Sequence, residues 1–243
     1  MPCVLILSSH VAASPVGGSA QVVALTRMGI ETALVPTVLL GRHPGLGAPG
    51  GGAVSDEIFE GMLHGVEATG LFGRLDAVIT GYFASPGQIA AAARAIDAVR
   101  AASPTARIVV DPIMGDHPKG LYVSEGVALA IAADLVPRAD LVAPNAWELT
   151  RLGGRAALGR PVLASSIDTP DGIGVIYADA DEAWLAVHAR LPAAPNGTGD
   201  LLTARFTGGL VLGLAPREAL KEAVEAVAAS LGVPGPIRLE ALA

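Results

Sequence analysis

The chain has a single cysteine, Cys3, so no disulfide can close within it. It has no excess of positive charge: 16 Lys and Arg stand against 23 Asp and Glu, for a net charge of −7. Nucleic-acid binders neutralise phosphates with a basic stripe, and none is present, so nucleic acid is not expected as a partner. No apolar run reaches the roughly 18 residues that a membrane-crossing helix needs, which argues against a membrane partner. Met1-Pro2-Cys3 leads straight into an apolar stretch with no basic segment and no cleavage signature. That predicts no signal peptide and a cytoplasmic protein. The P-loop pattern GxxxxGK followed by Ser or Thr is missing, and no Cys or His spacing suggests zinc.

What remains is rich in apolar residues, 51% of 243, with 30 Gly and 18 Pro to supply turns. Short apolar runs at 4–7, 32–38, 77–80, 107–110, 141–143, 162–164, 173–177 and 183–188 read as strands. Helical patterns cover 19–28, 55–69, 86–102, 124–135, 201–212 and 216–231, and the Gly-, Ala- and Pro-rich stretch 45–52 reads as a loop. This alternation predicts an α/β fold with a central, mostly parallel sheet covered by helices on both faces. Without a linker or an internal repeat, residues 1–243 read as one domain. Polar signatures sit just after strands: Ser8-Ser9-His10, Gly81-Tyr82, Asp111-Pro112 and Pro144-Asn145. In open α/β sheets the carboxyl ends of strands carry the ligand site, so these residues should converge on one edge.

The most informative stretch is Ala194-Pro195-Asn196-Gly197-Thr198-Gly199-Asp200, which runs directly into an apolar helix pattern. Gly197 and Gly199 permit backbone angles that aim consecutive N–H groups into one concavity, and the positive end of the following helix adds to it. Asp200 places a carboxylate beside that anion hole. This pairing suits a hydroxyl attacking a phosphoryl group: the carboxylate takes the proton and the N–H groups hold the developing charge. The plainer alternative is a glycine turn with Asp200 as a helix cap. Asp111 and Glu148 are hard oxygen ligands suited to Mg²⁺, yet Asp111 could simply end a strand and Glu148 could cap a helix begun at Asn145.

Further segments extend the pattern: Ser8-Ser9-His10-Val11, Gly17-Gly18-Ser19-Ala20, Pro36-Thr37-Val38, Gly41-Arg42-His43, Thr80-Gly81-Tyr82, Asp111-Pro112-Ile113-Met114-Gly115-Asp116, Leu121-Tyr122-Val123 and Pro144-Asn145-Ala146-Trp147-Glu148. In order and spacing, with Gly197-Thr198-Gly199-Asp200, the chain from about residue 4 to about 210 resembles the pyridoxal kinase family of the ribokinase superfamily. The resemblance implies a three-layer ribokinase-like fold and ATP-dependent phosphorylation of the 5′-hydroxymethyl group of pyridoxal. By position it makes Asp200 the catalytic base and Gly197, Thr198 and Gly199 the anion hole. Ser9, Thr37, His43 and Tyr82 would surround the pyridine ring. Asp111, Asn145 and Glu148 would organise Mg²⁺ and the ATP phosphates, with Asp111 and Glu148 as the metal residues. Asp116 and Tyr122 would lie on a loop covering the phosphates, and Ser165-Ser166 would offer a hydroxyl near them. A homodimer and a monovalent cation, K⁺ or Na⁺, are implied in the same way.

The chain departs from the family pattern in places. It is short between residues 150 and 161, where relatives carry a long helix, and short again after residue 231. Arg42 and Pro36 each stand where the family usually has Asn. A hydroxymethylpyrimidine kinase and a non-catalytic B6-binding relative are the competing readings. The Ser9-His10 and Thr37 to His43 pieces favour pyridoxal, and retention of Asp200, Asp111 and Glu148 favours catalysis.

Overall fold

A computed structural model describes residues 1–191, 195–232 and 238–242. Its centre is a ten-stranded sheet in the order β12-β11-β10-β9-β8-β5-β4-β1-β2-β3. The strands are β1 Cys3–Val11, β2 Glu31–Leu40, β3 Gly51–Ala53, β4 Ala77–Thr80, β5 Arg107–Val110, β8 Leu141–Val142, β9 Val162–Thr169, β10 Gly172–Ala178, β11 Ala183–His188 and β12 Arg238–Ala241. From β9 through β2 neighbouring strands run parallel, while β3 and β10–β12 add antiparallel edges. A separate hairpin joins β6 Gly115–Asp116 to β7 Gly120–Leu121.

The alternation of β1 shows why helices lie on both faces. Cys3, Leu5 and Leu7 enter one core with Phe59 of α2 (Asp56–Ala68), Ile89 and Ile96 of α3 (Pro86–Ala102), and Val127 of α4 (Glu125–Ala130). Val4 and Ile6 enter the other with Leu25 of α1 (Gly17–Thr26), Phe206 of α7 (Thr198–Val211), and Leu220 and Val224 of α8 (Pro216–Ser230). Period-2 side chains on a central parallel strand are buried both ways, so its sequence is continuously apolar.

Local chemistry sets the helix starts. The Ser55 hydroxyl accepts from the Ile58 amide at 3.2 Å, with Asp56 and Glu57 in the first turn of α2. Pro86 opens α3 behind a Ser85 cap. β1 passes to β2 on one side and lies against β4 on the other, which opens a crevice at their carboxyl ends.

The structure departs from the sequence reading at several points. The stretch 45–52 is not simply a loop: Pro44–Leu46 forms a helical turn and Gly51–Ala53 pairs with β2. Where the sequence reading finds the long helix of relatives missing, the span 150–161 holds the end of α5 (Ala146–Arg151) and one short helix, α6 (Gly154–Leu158). The helix read over 124–135 is α4 followed by a wider turn at Ile131–Leu135. Beyond α8, β12 was unforeseen: its Arg238 and Glu240 carry the polar signature of an exposed edge strand. Ala194 lies outside the described residues.

Candidate active site

The crevice is a cavity of about 780 Å³. Ser9, His43, Tyr82, Asp111, Tyr122, Asn145, Glu148, Gly197, Gly199 and Asp200, ten of the residues expected from sequence, line it.

Gly197 precedes α7 with φ +94, and a Cβ there would collide with the Pro15 carbonyl, so the turn requires glycine. No side chain caps α7. Its first-turn amides therefore keep free donors at the positive end of a helix. One oxygen of Asp200, Oδ2, accepts from the Gly17 amide at 2.8 Å. The other, Oδ1, is buried with no hydrogen-bond partner among the described residues. Burial pushes the Asp200 pKa up to about 6, and the Gly17 amide pulls it back. Gly17 reaches this position through a left-handed turn (φ +58) where a Cβ would strike the Ser9 hydroxyl.

Asp111 follows β5 and is buried, its Oδ2 accepting from the Thr203 hydroxyl at 2.9 Å. Burial first, then the charges of Glu148 and Asp200, hold its pKa well above the usual carboxylate range. Glu148 is buried as well, but its oxygens are occupied: Oε1 accepts from the amides of Met114 (2.6 Å) and Gly115 (3.2 Å), and Oε2 from Asn145 (2.9 Å). Burial raises its pKa against the pull of those amides. Asn145 accepts in return from the Glu148 amide, a reciprocal cap on α5. The capping alternative is thus true of this pair, alongside its place on the cavity wall.

On the opposite wall the β1–β2 register slips between Ser8 and His10, at Ser9. Such a bulge re-aims a side chain, and Ser9 lines the cavity. His43 Nδ1 accepts from the Gly45 amide at 3.1 Å and meets the Asn196 amide nitrogen at 3.2 Å. A neutral ring with an accepting Nδ1 carries its proton on Nε2. Burial, then the charge of Lys119, lower the His43 pKa. Burial raises that of Tyr82.

Three expected residues stand apart from the cavity. Thr37 is fully buried and its hydroxyl donates to the Tyr82 carbonyl at 2.6 Å, so it braces the wall from behind. Thr198 lines a separate groove of about 1090 Å³ on the far side of Gly197, beside Pro15 and Ser19. Asp116 sits in the β6–β7 hairpin with an unpartnered buried oxygen. Burial first, then the nearby Asp116 carboxylate, hold the Tyr122 phenol above its ordinary range.

Sequence reasoning missed Thr203, Asn196 and Lys119, which also line the cavity; of the Ser165-Ser166 pair, Ser165 lines it and Ser166 does not. Thr203 had a signal: three residues after Asp200 in a helix, it shares a face with it. Lys119 had none, because its placement depends on the hairpin.

No protein-family model matches the chain. Among curated proteins it is similar to a pyridoxine/pyridoxal/pyridoxamine kinase of Bordetella avium, 35% identical over 243 aligned residues covering 92% of this chain and 81% of the relative. It is 33% identical to pyridoxal kinase PdxY of Leifsonia xyli subsp. xyli, over 92% of this chain and 86% of that one. Among solved structures, pyridoxal kinase from Entamoeba histolytica matches with a TM-score of 0.90 over 100% of both chains at 20% identity. Pyridoxal kinase from Staphylococcus aureus in complex with ADP matches with a TM-score of 0.81, covering 100% of this chain and 99% of that one at 19% identity. These likenesses establish the three-layer fold.

Proposed function

The chain belongs to the pyridoxal kinase family, and on that premise we propose that it transfers the γ-phosphoryl group of ATP to the 5′-hydroxymethyl group of pyridoxal, yielding pyridoxal 5′-phosphate. The observation that carries the reading is Asp200: a buried carboxylate with one oxygen held by Gly17 and the other unpartnered, at the uncapped start of α7.

In this reading Asp200 Oδ1 accepts a hydrogen bond from the substrate hydroxyl and takes its proton as the oxygen–phosphorus bond develops. A carboxylate near pKa 6 cannot deprotonate an alcohol early. It suits a loose transition state, in which the proton leaves late. The amides that follow Gly197 stabilise the charge spreading over the phosphoryl oxygens. Ser9, His43 and Tyr82 hold the ring, with His43 donating from Nε2, while Thr37 keeps the Tyr82 backbone in place. Asn145 and Glu148 fix the nucleotide side, and Asp116 and Tyr122 belong to the covering hairpin. Thr198 contributes through its backbone.

Asp111, Glu148 and Asp200 share the cavity, and burial and mutual repulsion raise the pKa of Asp111. That arrangement fits a divalent cation. Among the described residues no group of three or more His, Cys, Asp or Glu forms a cage for one. Mg²⁺ commonly keeps several waters and substrate phosphates as ligands, so Asp111 and Glu148 would hold it from outside that shell. When bound it would neutralise phosphate charge. A monovalent cation, K⁺ or Na⁺, a homodimer, a cytoplasmic setting and a single domain over residues 1–243 belong to the same reading. Among the described residues no helix is long and apolar enough to cross a membrane.

The test mixes purified protein with MgATP and pyridoxal and follows pyridoxal phosphate by its absorbance, with Asp200→Asn alongside and a hydroxymethylpyrimidine as second acceptor. Turnover of pyridoxal lost in the variant is expected. Binding of pyridoxal without phosphate transfer to any B6 vitamer would overturn the reading.

A further inference from the structure

Charge balance exposes a residue that the family resemblance did not assign. The cavity wall carries the carboxylates of Asp111, Glu148 and Asp200. Among the described residues lining it, Lys119 is the one side chain with a fixed positive charge. A triphosphate entering this cavity adds more negative charge to a wall that is already acidic.

Lys119 lies between the strands of the β6–β7 hairpin, and the base of that hairpin is tied to the acidic wall. The Met114 and Gly115 amides donate to Glu148, the Asn145 side chain donates to the Gly115 carbonyl at 2.7 Å, and the Tyr122 amide donates to Met114 at 2.8 Å. Lys119 Nζ stands 5.9 Å from the ring centroid of Tyr122, itself on the cavity wall. Its charge also reaches His43 on the substrate wall. The hairpin thus carries the ammonium to the cavity wall, beside Tyr122 and within electrostatic reach of His43. Lys119 enters no ion pair among the described residues, so its charge is not consumed by a protein carboxylate.

We propose that Lys119 is a catalytic residue that contacts the transferring phosphoryl group from the hairpin side of the cavity, and so offsets charge that the acidic wall cannot. The proposal rests on the kinase reading. A compact ammonium on a flexible stem suits a group that moves between two oxygens. It also gives an otherwise exposed lysine a reason to lean over Tyr122, whose face attracts a cation.

The test compares Lys119→Met, which keeps the apolar stem, with Lys119→Arg, which keeps the charge. Lys119 makes no hydrogen bond among the described residues, so neither change should disturb the fold, and thermal unfolding checks this. In Lys119→Met, kcat should fall about 10²-fold, the loss typical of one electrostatic donor to a transition state, with KM for pyridoxal within about threefold of wild type. Lys119→Arg should recover to within about tenfold of wild type. ATP titration without acceptor, at two salt concentrations, is the second readout: Lys119→Met should bind more weakly and with a shallower salt dependence. Wild-type rates in Lys119→Met, an arginine variant as slow as the methionine one, or unchanged ATP affinity would each overturn the proposal while leaving wild-type turnover intact. Absence of wild-type turnover strikes the kinase reading itself, and the ATP titration still decides whether Lys119 meets phosphate.

Discussion

Replacing Asp200 by Asn should stabilise the ligand-free protein near neutral pH while abolishing turnover. Burial raises this carboxyl from 3.8 to about 6, a difference of about two pKa units. At 1.36 kcal/mol per unit, ionised Asp200 costs the native state roughly 3 kcal/mol. The direction follows from proton binding. Between about pH 4 and pH 6 the native state holds a proton that the unfolded chain has released, so stability falls as pH rises through that window and stays lower above it. Asn cannot ionise. Its oxygen can still accept from Gly17, but its NH₂ group takes the unpartnered place of Oδ1, at a cost of about 1–2 kcal/mol. The net gain is roughly 1–2 kcal/mol, which for a chain of this size is about 3–6 °C in Tm. Thermal unfolding of both proteins with chelator and without nucleotide, at about pH 5 and about pH 7.5, measures it. The variant should melt higher at the upper pH, and the gain should shrink or vanish at the lower. A variant equal to or less stable than wild type at the upper pH refutes the reasoning, as does a gain independent of pH. The same ionisation should give wild-type kcat/KM an acid limb that rises through about pH 6.

Gly197→Ala places a Cβ against the Pro15 carbonyl at φ +94. It should cost roughly 2–4 kcal/mol in denaturant unfolding and remove turnover with it. Thr203→Val deletes the hydroxyl that bonds Asp111. It should lower kcat/KM for MgATP about tenfold, with Thr203→Ser restoring most of it, and equal rates in the valine variant would deny Thr203 that role. Glu148→Gln puts an amide NH₂ against backbone donors, because both carboxylate oxygens already accept from amides. A loss of about 2–4 kcal/mol is expected in the same unfolding assay, and a gain would contradict the hydrogen-bond account.

The parallel strands and long helices were legible because their signals are local and redundant. The run Val4 to Leu7 is apolar on both faces, and Ser55-Asp56-Glu57 marks a helix start without help from tertiary structure. Gly197 and Asp200 were legible for a related reason: a left-handed turn, an uncapped helix and an acid sit within a few residues of one another. What was illegible depends on partners far along the chain. Gly51–Ala53 reads as loop because glycine is a poor strand former, and only pairing with Val38–Leu40 makes it a strand. Thr37 looked like a ligand because nothing local reveals that its hydroxyl is taken by a carbonyl 45 residues away. Lys119 reads as a surface residue until Glu148 fixes the hairpin that carries it.

The contrast between Asp200 and Glu148 separates the strained carboxylate from the structural one. Both are buried, and burial raises the pKa of each. Glu148 receives three backbone hydrogen bonds and joins a helix cap to a hairpin, so its charge is compensated where it stands. Asp200 receives one and leaves an oxygen unsatisfied in the cavity. A fold under selection for stability alone would fill that gap, since an unpaired buried charge is among the costliest features a protein can keep. Under the proposed kinase reading, a hydroxyl donating to Oδ1 would relieve the deficit, and the stability withheld at Asp200 would become available for binding and orienting the acceptor. The two neutral variants therefore differ in sign: the amide at position 200 should raise Tm and the amide at position 148 should lower it. If both lowered it, Asp200 would be as well satisfied as Glu148, and its claim to be the base would lose its physical ground.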